Sequence, residues 1–168
     1  MPVTRSTHNG VDAFHRNDPE VRIRPVKAED LAELISVDQE AFGALAYPTF
    51  VLSQFLDVHR DCLLVAEQGD GLIGYSLATP TLDRSESWLL ALGVRKAFQG
   101  QGYGRRLLVA SLATLRKEGI STFRLTVDPD NAHAIRLYKS EGFVVQKMVL
   151  NRLGPGEDRL DMTMSDQS

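Results

Sequence analysis

Three glycines at alternate positions, Gly100, Gly102 and Gly104, separate an apolar run from a helical pattern. Glycines let the chain curl so that several backbone N–H groups point inward, and the first N–H groups of a helix have no intrahelical partner. Such a loop can bind anionic phosphate. The charges agree, because residues 95 to 117 contain six Lys or Arg and no Asp or Glu before Glu118. The stretch predicts a site for a small polyanionic ligand.

The elements on either side of this loop fix its position. Trp88 to Val94 is an apolar run of strand length, which predicts a central strand buried on both faces. Arg105 to Glu118 predicts an amphipathic helix. Its apolar stripe consists of Leu107, Leu108, Leu112 and Leu115. Thr122 to Val127 alternates as the next strand, and a strand, helix, strand crossover predicts a parallel pair.

Three kinds of phosphate-binding loop compete for this stretch. A P-loop requires Gly-Lys followed by Ser or Thr, which occurs nowhere in the chain. Gly100 and Gly102 match the first two glycines of the dinucleotide-binding motif G-x-G-x-x-G, but the position of the third glycine is occupied by Arg105. About twenty residues further on, Arg124 stands in place of the acidic residue that would bind a ribose. The dinucleotide interpretation is therefore weak.

The third kind of phosphate-binding loop is indicated by two motifs that resemble those of a known protein family. Residues 99 to 104, QGQGYG, resemble the Q/R-x-x-G-x-G/A loop of the GNAT superfamily of acyl-CoA-dependent N-acyltransferases. Residues 131 to 143, NAHAIRLYKSEGF, resemble that family's N-x-x-A-x-x-L-Y-x-x-x-G-F at its usual downstream distance. Lys96 departs from the proline that the family often has, and this changes only the stiffness of a turn.

The resemblance implies a fold and a cosubstrate. The fold is a single α/β (α+β) domain over about 21–164, with a mixed, mostly antiparallel sheet, a central parallel pair splayed at the cofactor slot and helices on both faces. The cosubstrate is acetyl-CoA, with its pyrophosphate on the loop amides and its pantetheine arm along the central strand. The implied cofactor-binding residues are Leu92, Gly93, Val94, Gln99, Gly100, Gln101, Gly102, Tyr103, Gly104, Arg105, Asn131, Ala134 and Tyr138.

Acetyl transfer from a thioester to an amine needs a proton for the departing thiolate and a hold on the carbonyl oxygen. The resemblance makes Tyr138 the general acid, the Val94 amide the group that polarises the carbonyl, and Asn131 a holder of the coenzyme arm. Gly93 predicts either a bulge or close approach at the slot, with packing against a helix as the alternative.

The general base is not evident from the sequence. Relatives carry a Glu at the position of Thr126, or Glu or His where this chain has Trp88 and Leu90. The remaining candidates are Glu86, Asp83, Asp128 and His133, with Glu86 taken as the catalytic candidate and a water relay as the alternative. Removing a proton at pH 7 costs about 4.6 kcal/mol for a lysine-like amine but about 1.4 for an α-amine, so an acceptor of low pKa is favoured. The sequence leaves both kinds of acceptor open, a small-molecule amine and a protein or peptide amine.

The rest of the chain supports these elements. The polar stretch from 1 to 20 predicts a flexible arm. A strand at Val21 to Val26, two helices, and a pair of strands joined by residues 68–71, whose Asp70-Gly71 predicts a tight hairpin turn, bring the chain to its central strand. Tyr47, Phe50 and Phe55 either line the acceptor pocket or belong to the core. After the short helix that carries Tyr138, residues 144–164 predict a closing hairpin, and dimerisation through its apolar strand is a hypothesis.

The composition of the chain disfavours some classes of function. The chain has 168 residues, a net charge of −3 and 43% hydrophobic residues, as expected for a globular domain that does not bind nucleic acid. The absence of a long apolar run or a signal-peptide core, and the single Cys62, predict a cytoplasmic protein without membrane attachment. The isolated histidines predict no metal site. Two other classes stay open, a non-catalytic acyl-CoA-binding module and a nucleotide-binding regulatory protein.

Overall fold

Seven strands join in one mixed sheet in the order β1-β2-β3-β4-β5-β7-β6. The computed structural model describes residues 20–166, so the predicted arm lies almost wholly outside the described residues. The strands are β1 Val21–Pro25, β2 Leu63–Gln68, β3 Gly71–Pro80, β4 Ser87–Val94, β5 Thr122–Val127, β6 Val144–Val149 and β7 Arg159–Ser165. The helices are α1 Leu31–Phe42, α2 Thr49–Val58, α3 Tyr103–Lys117 and α4 Ala132–Ser140. The predicted fold class is confirmed.

Helices cover both faces of the sheet, and alternation along β3 separates the two cores. Tyr75 and Leu77 belong to the cluster beneath α1 and α2. Ser76, between them, faces the other way and shares a hydrogen bond of 2.7 Å with Ser111 of α3. The predicted apolar stripe of α3 is buried in the clusters on this second face. Because β2 and β3 are covered on both sides, most of their residues are buried.

The sheet opens at its centre, beside β4. This strand pairs with β5 in parallel over only three positions, from Ser87 opposite Phe123 to Leu89 opposite Leu125. Beyond Leu89 the two strands diverge, while β4 remains paired with β3 as far as Val94. The last five residues of β4 therefore have a free edge where the next strand would lie.

A bulge in β4 accompanies this opening. Leu77 lies opposite Ala91 and Ala78 lies opposite Leu89, which leaves Leu90 as the extra residue. The side chain of Leu90 is 41% exposed. The prediction that this strand is buried on both faces is thus wrong at Leu90, because the bulge and the divergence from β5 leave that residue facing a cavity.

The carboxyl-terminal hairpin closes the far side of the sheet. β7 pairs with β5 on one side and with β6 on the other, so β6 is an edge strand and most of its residues are exposed. Dimerisation through this strand stays a prediction. Between residues 20 and 166, no helix combines the length and the apolar character that crossing a membrane requires.

Candidate active site

A cavity of about 670 Å³ opens where β4 diverges from β5. The carboxyl end of β4 forms one wall, the glycine loop and the start of α3 form the second, and one face of α4 forms the third. Its lining includes Leu92, Gly93, Val94, Phe98, Gln99, Gly100, Gly102, Tyr103, Gly104, Arg105, Asn131, His133, Arg136, Leu137 and Ser140. Most of the predicted cofactor-binding residues therefore lie together.

The glycine loop presents a row of free backbone donors to this cavity. Gly100 and Gly102 have φ of +74° and +88°, which side-chain-bearing residues rarely adopt. Within residues 20–166, the six amides from Gly100 to Arg105 donate no hydrogen bond. They lie at the start of the 15-residue helix α3, where the helix dipole is positive. This arrangement can bind a phosphate or pyrophosphate group.

The free edge of β4 forms the second part of the binding surface. The amide of Arg95 donates to the carbonyl of Ile73 at 2.8 Å, so residues 95, 93 and 91 direct their peptide groups toward β3. Leu92 and Val94 alternate with them and direct their peptide groups into the opening. The carbonyl of Val94 accepts the side-chain amide of Gln99 at 2.9 Å. The amide of Val94 is therefore the group at the end of this edge that can donate to a ligand.

A second cavity of about 650 Å³ continues from the first across the sheet. The two cavities share Ala41, Phe42, Leu92 and Asn131. The second one also contains Tyr47, Trp88, Leu90, Thr126, Asp128, Tyr138, Arg152, Leu153 and Arg159. One groove thus runs from the phosphate-type site to a second site at the opening of the sheet.

Tyr138 lies in the second cavity rather than beside the glycine loop. Its ring packs edge-on against Phe143 at 6.0 Å, and burial raises the pKa of its hydroxyl to about 12. The described part of the chain offers no hydrogen-bond partner to this hydroxyl. A buried, neutral phenol in the cavity that Leu92 of β4 also lines can give a proton to a leaving group formed there.

The family model of the acetyltransferase (GNAT) family matches residues 28–143. The matched residues include all those that line the first cavity, most of those that line the second, and both sequence motifs. The chain belongs to the GNAT acetyltransferase family.

Individual relatives agree with the GNAT assignment. The chain is 42% identical over 74 residues to the ribosomal protein bS18-alanine N-acetyltransferase of Haemophilus ducreyi, which covers 44% of this chain and 50% of that protein. It is 34% identical over 85 residues to the mycothiol acetyltransferase of Renibacterium salmoninarum, over 48% of this chain and 25% of that protein. The matched parts thus span half or less of these relatives.

A solved GNAT structure resembles the whole described fold. The crystal structure of the ribosomal-protein-S18-alanine N-acetyltransferase from Escherichia coli superposes with a TM-score of 0.74 at 25% identity. The superposition covers 89% of this chain and 96% of that one. The sheet with its central opening is therefore the GNAT architecture over nearly its full length.

Three predicted cofactor-binding residues do not line the first cavity of this GNAT site. Gln101 turns its side-chain amide back to the carbonyl of Ala97 at 3.1 Å. Ala134 packs against the core beneath α4, and Tyr138 lines the second cavity instead. Asn131 lies in both cavities, but its side-chain oxygen accepts the amide of Ala134 at 3.0 Å and caps α4.

The sequence analysis missed one face of α4. His133, Arg136, Leu137 and Ser140 all line the first cavity. They follow the i, i+3, i+4, i+7 spacing of one helical face, a signal that the sequence contained. His133 was considered only as a base. Arg136 and His133 place a cation and a titratable ring on the wall opposite the glycine loop.

The interpretation of Gly93 needs correction. A Cβ atom on Gly93 would lie 2.9 Å from the Cβ of Ala41 and 3.0 Å from the ring of Phe42. The glycine therefore admits the end of α1 against β4, which is packing against a helix, and the bulge lies at Leu90 instead. Ala41 and Phe42 line both cavities, so this close approach also shapes the groove.

The segment between α1 and α2 closes one side of the second cavity. The carboxylate of Asp38 accepts the amide of Tyr47 at 2.7 Å and the hydroxyl of Tyr75 at 2.6 Å. Burial raises the pKa of Asp38, and its two donors oppose that rise. Tyr47 in turn donates its hydroxyl to the carbonyl of Leu90 at 3.3 Å. These bonds hold Tyr47 over the bulge of β4.

Of the three aromatic candidates for the acceptor pocket, Tyr47 alone lines the second cavity. Phe55 packs edge-on beneath the ring of Tyr47 at 5.2 Å, as a core residue. Phe50 is 65% exposed and belongs to neither cavity.

Glu86 is not brought to the groove, contrary to its selection as the catalytic candidate. It immediately precedes β4, whose residues from Trp88 to Val94 line the groove. Its carboxylate accepts the indole N–H of Trp88 at 3.1 Å and lies 3.5 Å from the guanidinium of Arg124. Neither cavity includes Glu86 in its lining. Its contacts are those of a residue that positions Trp88.

The other candidate bases also have local partners. Asp83 accepts hydrogen bonds from Thr81 and Ser85 in an exposed turn, and these bonds lower its pKa. Asp128 lines the second cavity, but one of its oxygens accepts the amide of Asp130 at 2.8 Å. Among residues 20–166, no group of three or more His, Cys, Asp or Glu side chains is arranged to hold a metal ion.

Proposed function

We propose that this GNAT protein transfers an acetyl group from acetyl-CoA to an amine in a ternary complex, with Tyr138 as the general acid. The observation that carries the proposal is the continuity of three features along one groove. Six loop amides that have no partner within residues 20–166 lead to the free edge of β4, and that edge enters at Leu92 the second cavity, which Tyr138 also lines. A phosphate site, an extended slot and a proton donor occur in the order in which acetyl-CoA presents pyrophosphate, pantetheine and thioester.

The coenzyme fits the first cavity by its chemistry. Its pyrophosphate accepts hydrogen bonds from the amides between Gly100 and Arg105 at the positive end of α3. Its pantetheine arm carries amide groups, which pair with the peptide groups of Leu92 and Val94 as an added strand would. Arg136 lies on the opposite wall, where its guanidinium can face a phosphate. This placement leaves the thioester at the junction of the two cavities.

The proposed reaction proceeds by direct attack. The neutral amine forms a bond to the thioester carbonyl carbon, whose oxygen gains charge and is stabilised by the amide of Leu92, the free-edge residue that both cavities share. Val94, to which the resemblance assigned this role, lines only the first cavity, next to the glycine loop. The C–S bond then breaks, the sulfur takes the proton of Tyr138, and the nitrogen gives one of its own protons back to Tyr138 through water. With a pKa of about 12 the phenol stays protonated at neutral pH. Transfer to a free thiolate of pKa near 8.5 is uphill by about 5 kcal/mol, so the proton must move while the C–S bond is breaking.

The acceptor that we propose is an α-amine of low pKa, such as a peptide amino terminus. An α-amine is deprotonated at neutral pH for about 1.4 kcal/mol, against about 4.6 for a lysine side chain. Two relatives are named for acetylation of an alanine of a ribosomal protein, and the second cavity is an open groove in which an extended chain can lie.

Thiol release from acetyl-CoA with a panel of amines, including peptides with free amino termini, tests the proposal. We expect release that depends on the acceptor and falls about 10²-fold or more in Tyr138→Phe, because general acid catalysis contributes about 10²–10⁴. Calorimetric titration with coenzyme A is the control, since the variant keeps the first cavity intact.

Two outcomes would contradict the proposal. Tight binding of coenzyme A with no amine acetylated would favour a non-catalytic acyl-CoA-binding module. Binding of NAD or ATP without binding of coenzyme A would favour a nucleotide-binding regulatory protein.

A further inference from the structure

Asp161 of β7 is a buried carboxylate without a partner. The residue is 3% exposed, and its Oδ1 has no hydrogen-bond partner within residues 20–166. No ion pair to either carboxylate oxygen occurs in the same part of the chain. Burying an unpaired carboxylate costs several kcal/mol, so such a group usually has a role that offsets its cost.

Asp161 lies on the sheet face that bears the second cavity. It is the cross-strand partner of Thr126 in the antiparallel pair of β5 and β7. Directly opposed residues point to the same face with Cβ atoms about 4.5–5.5 Å apart. Thr126 lines the second cavity, and so does Arg159, two residues before Asp161 on the same face of β7. Asp161 itself lines neither cavity, but it lies between two residues of its sheet face that line the second one.

The cations around Asp161 are engaged elsewhere or exposed. Arg152, which also lines the second cavity, is exposed, and its guanidinium lies 5.9 Å from the centre of the Trp88 ring. The guanidinium of Arg159 binds Glu157 at 2.9 Å. The guanidinium of Arg124, on β5, lies 4.6 Å from the centre of the Trp88 ring and next to Glu86. Lys147, opposite Asp161 on the edge strand β6, is exposed and forms no ion pair with it among the described residues.

Thr126 is also where the sequence lacks an expected base. The resemblance to peptide-acetylating relatives places a Glu at that position, and Thr126 cannot accept a proton at neutral pH. The structure supplies a carboxylate one strand away on the same face. Because β5 and β7 run side by side there, Asp161 can reach the space above Thr126 through one water molecule.

We propose that Asp161 is the proton acceptor of the acetyl transfer, acting through a water molecule beside Thr126. The incoming ammonium group supplies the positive charge that this carboxylate lacks. Its proton passes through the water to Asp161, which leaves a neutral amine and a carboxylic acid. The amine forms the C–N bond as the C–S bond breaks, Tyr138 protonates the sulfur, and the second N–H proton returns through water to Tyr138. Asp161 then releases its proton to solvent.

This inference rests on the proposed acetyl transfer, and Asp161→Asn tests it with separate readouts. We expect kcat/KM with the best amine of the panel to fall about 10²-fold at pH 7, with coenzyme A affinity unchanged. The difference in kcat/KM between Asp161→Asn and the wild type should decrease as the pH approaches the pKa of the acceptor amine, because the amine then loses its proton without a base. Asp166→Asn is the matched control, since Asp166 pairs with Arg116 on the exposed surface.

Thermal unfolding separates this role from a structural one. A carboxylate kept for chemistry costs stability, so Asp161→Asn should match or exceed the wild-type midpoint. Lys147→Met should leave the midpoint unchanged. A clear fall in either variant, or failure of Asp161→Asn to fold, would show that Lys147 and Asp161 form a structural pair and would overturn the proposal.

Measurements of acetyl transfer distinguish a failure of this proposal from a failure of the proposed function. If the wild type acetylates amines and Asp161→Asn does so equally well at every pH, Asp161 is not the proton acceptor and the acetyl transfer stands. If the wild type binds coenzyme A but acetylates no amine, the proposed function fails and this proposal fails with it.

Discussion

The side-chain amide of Gln99 donates to the carbonyl oxygen of Val94 at 2.9 Å, which ties the first residue of the glycine loop to the last residue of β4. The bond occupies the one acceptor that Val94 directs into the opening and leaves its amide free. It also fixes the distance between the phosphate-type site and the strand edge. The two halves of the proposed coenzyme site are therefore held by one hydrogen bond.

Replacing Gln99 by Met should weaken the binding of acetyl-CoA about 5- to 10-fold. The substitution preserves side-chain length but removes a hydrogen bond worth about 1 kcal/mol, so the loop loses its fixed distance from β4. Gln101→Met is a matched control. Gln101 also donates its side-chain amide to a backbone carbonyl, that of Ala97, but does not line the cavity. Calorimetric titration should show a loss of less than twofold for the control, and equal losses in both variants would contradict this role of Gln99.

Local patterns in the sequence predicted most of the fold, because those patterns record burial directly. Thr122 to Val127 alternates in sequence and forms a strand over the same residues, with every second one buried. Gly119 and Gly142 follow the ends of α3 and α4, both with positive φ. The motif around Gly100 predicted the curled loop with its free amides for the same reason, since these features reside in adjacent backbone groups.

Features that depend on contacts between distant segments could not be predicted in this way. The bulge at Leu90 arises from the register between β3 and β4, which no local pattern encodes. Gly93 owes its small size to Ala41 and Phe42, about fifty residues earlier in the chain. The sequence pattern shows Asp161 only as a polar residue in an alternating strand. Its position beside Thr126 follows from the pairing of β5 with β7.

Adding one methyl group at Gly93 should destabilise the protein and disturb the groove. The new Cβ would lie 2.9 Å from Ala41 and 3.0 Å from Phe42, so the end of α1 must shift, at a cost of about 1–3 kcal/mol. Gly74→Ala should cost more, because its Cβ would lie 2.8 Å from the backbone carbonyl of Gly93. Denaturant unfolding measures both changes.

Gly71→Ala is the control for these two substitutions. The nearest atom to its Cβ would be an oxygen of Glu33 at 3.6 Å, an ordinary contact, so its free energy of unfolding should change by less than about 0.5 kcal/mol. If Gly93→Ala is as stable as Gly71→Ala, the end of α1 is not packed as tightly against β4 as the structure shows.

Glu86→Gln should retain most of the acetyl transfer activity. Glu86 lies outside both cavities and binds Trp88 and Arg124. The amide can still accept the indole N–H, so Trp88 keeps its position in the second cavity. We expect kcat/KM within about threefold of the wild type and an unchanged pH profile, measured by thiol release. A fall of 10²-fold that recovers at high pH would instead make Glu86 the base and exclude Asp161 from that role.

Acid should unfold the protein partly through Arg24, which joins β1 to the segments beside it. Its guanidinium binds Asp30 at 2.7 and 2.9 Å and Glu67 at 2.8 and 3.1 Å, and its side chain is 12% exposed. The hydrogen bonds from Arg24 are the main cause that lowers the pKa of both carboxyls, that of Glu67 to about 2. A carboxyl with a lowered pKa in the folded state stabilises the protein above its ordinary pKa. That contribution is lost as the pH falls from about 4.5 toward 2.

Arg24→Met should therefore lower the free energy of unfolding at pH 7 and make it depend less on pH in the acidic range. We expect a loss of about 2–4 kcal/mol at pH 7, because two carboxylates lose a shielded partner. The difference from the wild type should shrink as the pH falls toward 2, because the two carboxyls of the wild type then take up protons and lose their ionic contact with Arg24. Arg22→Met is the control: Arg22 also binds Glu67, at 3.0 Å, but is 69% exposed, so its loss should cost at most about 1 kcal/mol. Thermal unfolding midpoints between pH 2 and 7 give the result, and a pH dependence in the acidic range as steep in Arg24→Met as in the wild type would assign the acid sensitivity to other carboxyls.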